Sequence, residues 1–221
     1  MTRRALVIGA TGGIGHALGV ALEANGLEVT RLSRTADGFD MTDPAKVDDL
    51  MNRIGGTFDT ILIATGILAP DGAEPEKSLA QIDAENMAMV MAANAIGPAL
   101  VLRHIPRLIA RDERSVVGVL TARVGSIGDN RLGGWYSYRA AKAAANQIVR
   151  TAAIEIARKR KKAIVVALHP GTVATSFTDA YPGHPKVAPD EAAANLVAVL
   201  DQLTPEQTGC FFDWAGKPVP W

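Results

Sequence analysis

The chain has 221 residues, with 23 Lys plus Arg against 23 Asp plus Glu, 48% apolar residues and a single cysteine, Cys210. At ~100–200 residues per domain the length suits one domain or two small ones. The apolar share is that of a globular protein rather than a disordered one, and the balanced charge argues against nucleic-acid or anionic-membrane binding, which needs a basic excess. One cysteine excludes an internal disulfide and a cysteine-rich zinc site, so a reducing, cytoplasmic setting is the simplest expectation.

In chain order, the start Met1-Thr-Arg-Arg4 followed by Ala5-Leu-Val-Ile-Gly9 has the basic-then-uncharged order of a signal peptide, but Gly9, Gly12, Gly13, Gly15 and His16 interrupt it. It reads as a buried strand and a turn. No other run approaches the ~20 apolar residues of a membrane span. Strands are expected at 5–8, 28–32, 60–64, 115–120, 163–168 and 208–212, with a weaker one at 39–40, and helical stretches at 13–24, 44–54, 79–110, 135–160 and 189–203. Continuous apolar strands alternating with helices predict a parallel sheet covered on both faces. With no repeat and no linker, the expectation is a single doubly wound α/β domain over residues 1–221. Alanines crowd two of the helices, at Ala84, Ala88, Ala92, Ala93 and Ala95 and at Ala140, Ala141, Ala143, Ala144 and Ala145. Helix propensity and helix-on-sheet packing account for them, and small side chains also allow close approach of a second copy.

Gly9-Ala-Thr11-Gly12-Gly13-Ile14-Gly15 lies where the first strand meets the first helix. An anion there meets free backbone N–H groups and the positive end of the helix dipole, and glycine lets the backbone approach a pyrophosphate closely. The spacing is G-x-x-x-G-x-G, and its strand-to-helix context lifts it above a Gly-rich packing turn. The second strand ends Leu32-Ser33-Arg34-Thr35, with no acidic residue before Asp37. A carboxylate at this point binds a ribose 2′-hydroxyl; a hydroxyl and a guanidinium suit a 2′-phosphate. Ser33 and Arg34 therefore predict NADP(H) over NAD(H).

Tyr138-Arg-Ala-Ala-Lys142 places a phenol and an ammonium on one helix face. The ammonium favours the phenolate of a group whose free pKa is ~10, which makes the pair a proton donor or acceptor for carbonyl–alcohol interconversion.

The Gly9/Gly13/Gly15 turn, Asn94, Tyr138/Lys142 and Pro170-Gly171 together resemble, in order and spacing, the short-chain dehydrogenase/reductase family over essentially the whole chain. Two stretches, Arg123-Val-Gly-Ser-Ile-Gly-Asp-Asn-Arg-Leu-Gly-Gly-Trp-Tyr-Ser-Tyr138 and the ending Phe211-Phe-Asp-Trp-Ala-Gly-Lys-Pro-Val-Pro-Trp221, look like its C-factor and sniffer-type carbonyl reductase branch. The resemblance implies a Rossmann-type fold with a seven-stranded parallel sheet, hydride transfer with a nicotinamide, and a homodimer or homotetramer. It implies Tyr138 as general acid/base, Lys142 as the group that lowers the tyrosine pKa and holds the nicotinamide ribose, and Asn94 as support for a water relay. Asp40 and Met41 would flank the adenine. Pro170, Gly171, Val173 and Thr175 would shape the nicotinamide site, and a loop over about 172–187, with Phe177, Tyr181, Pro182, Gly183 and Pro185, would cover the substrate.

The sequence departs from the family pattern at three places. Ile8 stands where Thr often precedes the first glycine. The segment Ile63-Ala64-Thr65-Gly66 replaces Asn-Asn-Ala-Gly, keeping only Gly66. The substrate-binding hydroxyl falls on Ser126 when counted back from Tyr138, and on Thr121 or Ala122 when counted from the strand end. Ser126 is preferred, with Thr121 next, because a hydroxyl polarises the carbonyl; Ser126 is otherwise a turn residue between two glycines. His16, His104, His169 and His184 share no metal-ligand spacing, so no metal is expected. The expected activity is NADP(H)-dependent reduction of a small-molecule carbonyl or oxidation of an alcohol. The alternative is a cofactor-binding signalling protein with little turnover.

Overall fold

The six longer apolar runs each form a strand in a computed structural model that describes residues 2–179, 183 and 185–221. They are β1 (Arg4–Ile8), β2 (Glu28–Leu32), β3 (Thr60–Ile63), β4 (Ser115–Leu120), β5 (Ala163–His169) and β6 (Phe211–Asp213), all parallel, in the order β2-β1-β3-β4-β5-β6. Tyr181, Pro182 and His184 lie outside the described residues. Leu6, Ile8, Ile61, Ile63, Val117 and Val165 face one core, packed by α3 (Pro44–Arg53), α5 (Gly97–Leu102), α6 (Ile105–Leu108) and α7 (Tyr136–Lys159). Ala5, Val7, Leu62, Val116, Ile164 and Val166 face the other, under α1 (Gly13–Ala24) and α8 (Pro189–Gln202). Successive side chains go to opposite faces and both faces are covered, which explains the uninterrupted apolar runs.

The sheet has six strands, not the expected seven. The weak run at 39–40 follows α2 (Arg34–Asp37) and Gly38, whose φ of 70° reverses the chain. Phe39 N–H then returns to Ser33 O and Asp40 N–H to Gly38 O. With both donors engaged inside the turn, no ladder to β2 forms, and Phe39 is buried in the core from a loop.

The stretch expected as one helix over 79–110 is divided into a 3₁₀ turn at Leu79–Gln81, α4 (Ala84–Met91), a wide π-type turn at Ala92–Ile96, then α5 and α6. Pro98 explains the wide turn: it has no N–H for the carbonyl four residues back, at Asn94, and its ring crowds that group. Ala84–Leu102 is, by length and composition, long and apolar enough to cross a membrane, against the expectation that no run came close. Here Val90, Asn94, Ala95, Val101 and Leu102 are buried, and α4 and the turn after it pack along α7.

The chain leaves β1 for β2 on one side and returns to β3 on the other. The carboxyl ends of β1 and β3 therefore diverge into a crevice, the usual ligand position in an open α/β sheet.

Candidate active site

Glycine brings two backbone segments together at this crevice. Gly9 has φ 89°, and a Cβ on it would lie 2.6 Å from Ala64 O beyond β3. A Cβ on Gly15 would lie 2.1 Å from Gly9 O, and one on Gly13 would lie 2.5 Å from Thr175 Cγ2. The cap of α1 is Gly12, which offers no side chain, and the first turn has no acidic residue. Its N–H groups and positive dipole end thus remain available to an anion. Thr11 is exposed and its Oγ1 accepts from Thr35 at 3.2 Å, linking this turn to the one after β2. Ile14 packs against the α1/α8 core. The glycines and the uncapped helix fit a diphosphate, and Thr65 Oγ1 beside Gly9 is buried without a hydrogen-bond partner among the described residues.

At the end of β2, Ser33 is buried and Arg34 exposed. Ser33 Oγ accepts from Ala36 N–H, capping α2, while Asp37 Oδ2 accepts from Ser33 N–H at 2.8 Å. One carboxylate oxygen of Asp37 is therefore engaged locally, and Arg34 forms no ion pair among the described residues. Asp40 Oδ1 accepts from Thr42 N–H and Oγ1, which holds its carboxyl below the usual range. Met41 is buried against Gly97.

Beyond β3, Ala64 N–H continues to Ile8 O, and Gly66 approaches the centre of the site. A Cβ on Gly66 would stand 2.6 Å from Asn94 Oδ1 and 3.2 Å from Lys142 Nζ. Asn94, fully buried in the wide turn, accepts from Ile67 N–H at 3.2 Å and donates to Ile67 O and Val90 O at 2.8 and 3.0 Å. The extra width of a π-type turn, common at functional positions, aims this side chain at the segment after β3. Lys142 Nζ donates to Leu120 O at 3.1 Å and lies 5.7 Å from the centre of the Tyr138 ring. Burial pushes Lys142 down to about 8 and the Tyr138 phenol up.

Pro170 and Gly171 follow β5. Gly171 has φ 83°, and a Cβ there would meet the Trp214 ring at 3.1 Å, so the C-terminal tail backs this turn. Val173 is buried and pairs with Val187, closing the base of the loop 172–187. Thr175 rests on Gly13, and Phe177 lies 5.8 Å from the Tyr138 ring. Loop and glycine turn thus lie against each other. His169 is held down to about 4 by burial, then by Arg123, and stays neutral at ordinary pH.

The three candidates for the substrate-binding hydroxyl stand in different surroundings. Ser126 is buried in the turn after β4, where its Oγ accepts from Asp129 N–H at 3.1 Å. Ala122 packs on the Tyr138 cluster, with Val90, Leu68, Met91, Val124 and Trp135. Thr121 Oγ1 is buried and unpartnered among the described residues. Sequence reasoning missed Trp214 and Glu76, whose partners are distant in the chain. A buried glutamate leaves no local pattern, although the indole of Trp214 lies in a stretch the resemblance already covered.

A family model described as Enoyl-(Acyl carrier protein) reductase matches residues 9–209. The chain is 33% identical, over 98% of both lengths, to a 1-hydroxy-2-glutathionyl-2-methyl-3-butene dehydrogenase of Rhodococcus sp. (strain AD45). It is 35% identical to the C-signal protein of Myxococcus xanthus over 65% of this chain and 84% of that one. A carbonyl reductase of Pseudomonas aeruginosa PAO1 in complex with NADP superposes over the whole of both chains with a TM-score of 0.83 at 25% identity. A match that runs from the glycine turn almost to the last strand means that the chain belongs to the short-chain dehydrogenase/reductase family.

Proposed function

We propose that this chain is an NADP(H)-dependent oxidoreductase that interconverts a carbonyl and an alcohol on a small or medium apolar substrate. The carrying observation is the buried Tyr138–Lys142 pair, set beside Asn94 and Gly66 at the crevice that the glycine turn opens. When bound, the nicotinamide supplies or accepts the hydride. Tyr138 Oη holds the proton: its raised pKa keeps it protonated across neutral pH, which suits an acid in reduction. Lys142 brings a positive charge next to the phenol while the pH stays below its lowered pKa of about 8. Asn94 fixes the segment after β3 against which that lysine rests. The Trp135 and Phe177 rings flank the phenol and favour an apolar substrate. Arg34 is the free charge at the end of β2, and likeness to an NADP-bound carbonyl reductase supports the 2′-phosphate reading.

A second reading, a cofactor-binding signalling protein with little turnover, draws support from Ala122, which offers the substrate oxygen no hydrogen bond, and from the likeness to C-signal. We also propose a homo-oligomer. Met89, Ile96 and Ile154 are exposed on the turn and helices on that side, and a groove lined by Ala99, Leu102, Pro106, Ile148 and Ala152 runs between α5–α6 and α7, surface that a second copy would cover.

Turnover of NADPH with a panel of ketones, aldehydes and quinones separates the two readings. Tyr138→Phe is expected to lower kcat by about 10²–10⁴-fold, the scale of a general acid, with NADPH binding retained; activity near the unmodified level overturns the proton role. The reductive kcat is expected to be flat below pH 7.5 and to fall above about 8, because a depressed lysine pKa means that the ammonium is lost there rather than near 10.5. Lys142→Met removes that break. Arg34→Ala is expected to weaken NADPH by about 10–100-fold, the loss of charge-assisted bonds worth about 1.5–3 kcal/mol, and to leave the NADH dissociation constant in place. Ala122→Ser, which adds a donor beside Tyr138, is expected to raise kcat several-fold, read in the same assay.

A further inference from the structure

We propose that Glu76 is a positioning residue for Tyr138, capping from a distant loop the N-terminus of the helix that carries it. This rests on the reading of Tyr138 as the acid–base residue. α7 is 24 residues long and starts after Trp135, whose indole has a donor and no acceptor and so cannot cap a helix as Ser or Asp does. Glu76, 61 residues earlier, supplies what is missing. Its Oε2 accepts from Ser137 N–H at 3.2 Å, its Oε1 accepts from the Ser137 hydroxyl, and its backbone carbonyl accepts from Trp135 N–H at 2.5 Å.

Both partners are buried, Glu76 being 7% exposed and Ser137 3%, so water cannot take over these bonds. The carboxylate also meets the positive end of the helix dipole. Burial alone would raise its pKa, but the Ser137 and backbone donors outweigh it, and the group is held ionised. The loop bearing Glu76 is anchored in turn, because Gln81 Oε1 accepts from Lys77 and Ser78 N–H.

Glu76 also holds a strained residue. Trp135 has φ 51° and ψ 45°, and is the one non-glycine with positive φ among the described residues. Such a conformation costs about 1–3 kcal/mol and persists only where its surroundings enforce it. The Trp135 ring meets Tyr138 edge-on at 6.2 Å between centres, and Tyr138 directly follows Ser137. Losing the Glu76 carboxylate would free Ser137 N–H and its hydroxyl, while Trp135 N–H keeps the backbone carbonyl of residue 76; the loosened first turn beside the strained tryptophan would shift the phenol that follows, and a displacement on the order of 1 Å from a remote change can lower a rate ~10²-fold.

The test compares Glu76→Ala with Glu76→Gln, whose amide oxygen still accepts from Ser137 N–H. In the whole chain, Glu76→Ala is expected to lower kcat at least ~10-fold, with KM and the NADPH dissociation constant within about two-fold, and Glu76→Gln is expected to restore most of kcat. An unchanged kcat in Glu76→Ala overturns the inference. So does an equal fall in both variants accompanied by weaker NADPH binding, which marks a general lesion. If the unmodified protein shows no turnover, the enzyme reading fails on its own. Amide hydrogen exchange over 136–139 then decides this one: protection is expected to be lost in Glu76→Ala and kept in Glu76→Gln, and equal protection in the two overturns it.

Discussion

The site depends on one close approach, that of the Gly9 backbone to the carbonyl of Ala64. A side chain on Gly9 would push apart the two segments that leave β1 and β3, and one on Gly15 would strike Gly9 itself. Because the turn lies flat on its neighbours, the uncapped end of α1 opens into the crevice between the diverging strands. Thr175 then rests on Gly13, so the loop that reaches Tyr138 through Phe177 is referenced to the same turn. The glycine turn and the surroundings of Tyr138 are thereby held in one frame by contacts that tolerate no extra atom.

Burial acts in opposite directions on the two ionisable groups of the pair. It penalises the charged form of each, so the tyrosine is raised and the lysine lowered, and their ordinary pKa values move past one another's range only because both sit inside the same apolar wall. The wall comes from α4, α7 and the turn after β4, with Ala122 and Val90 against the phenol. Asn94 enters through a helix deformed by Pro98, a local defect in regular structure that points one amide at the segment following β3.

The balanced net charge is consistent with this layout. On the proposed reading an anionic cofactor needs no basic surface, since a turn of free N–H groups and one exposed guanidinium, Arg34, would meet it locally. Aromatic residues are scarce at 5% of the chain, yet Trp135, Tyr138, Phe177 and Trp214 gather around the turn after β5 and the start of α7. Packing of the tail against Gly171 links the chain's last strand to that cluster.

Much of this was legible in the residue order. Apolar runs with β-branched residues and the periodicity between them located the six strands and the main helices, because burial on both faces of a parallel sheet leaves an uninterrupted signal. The glycine turn and the Tyr138–Lys142 spacing were legible for a similar reason: each lies within one or two turns of chain. The failures share a different cause. Residues 39–40 have strand-like character, but Gly38 directs their N–H groups into a turn, and only the folded chain decides that competition. Counting from the strand end and counting back from Tyr138 pick different residues among Thr121, Ala122 and Ser126, and a 3₁₀ turn at Arg123–Gly125 lies between the two anchors. Glu76 and Trp214 act on residues far away in sequence. Sequence by itself determined the fold class and the position of the local motifs, which periodicity and spacing encode; tertiary structure alone decided which distant groups pack against those motifs, because such contacts are made by packing and leave no period to read.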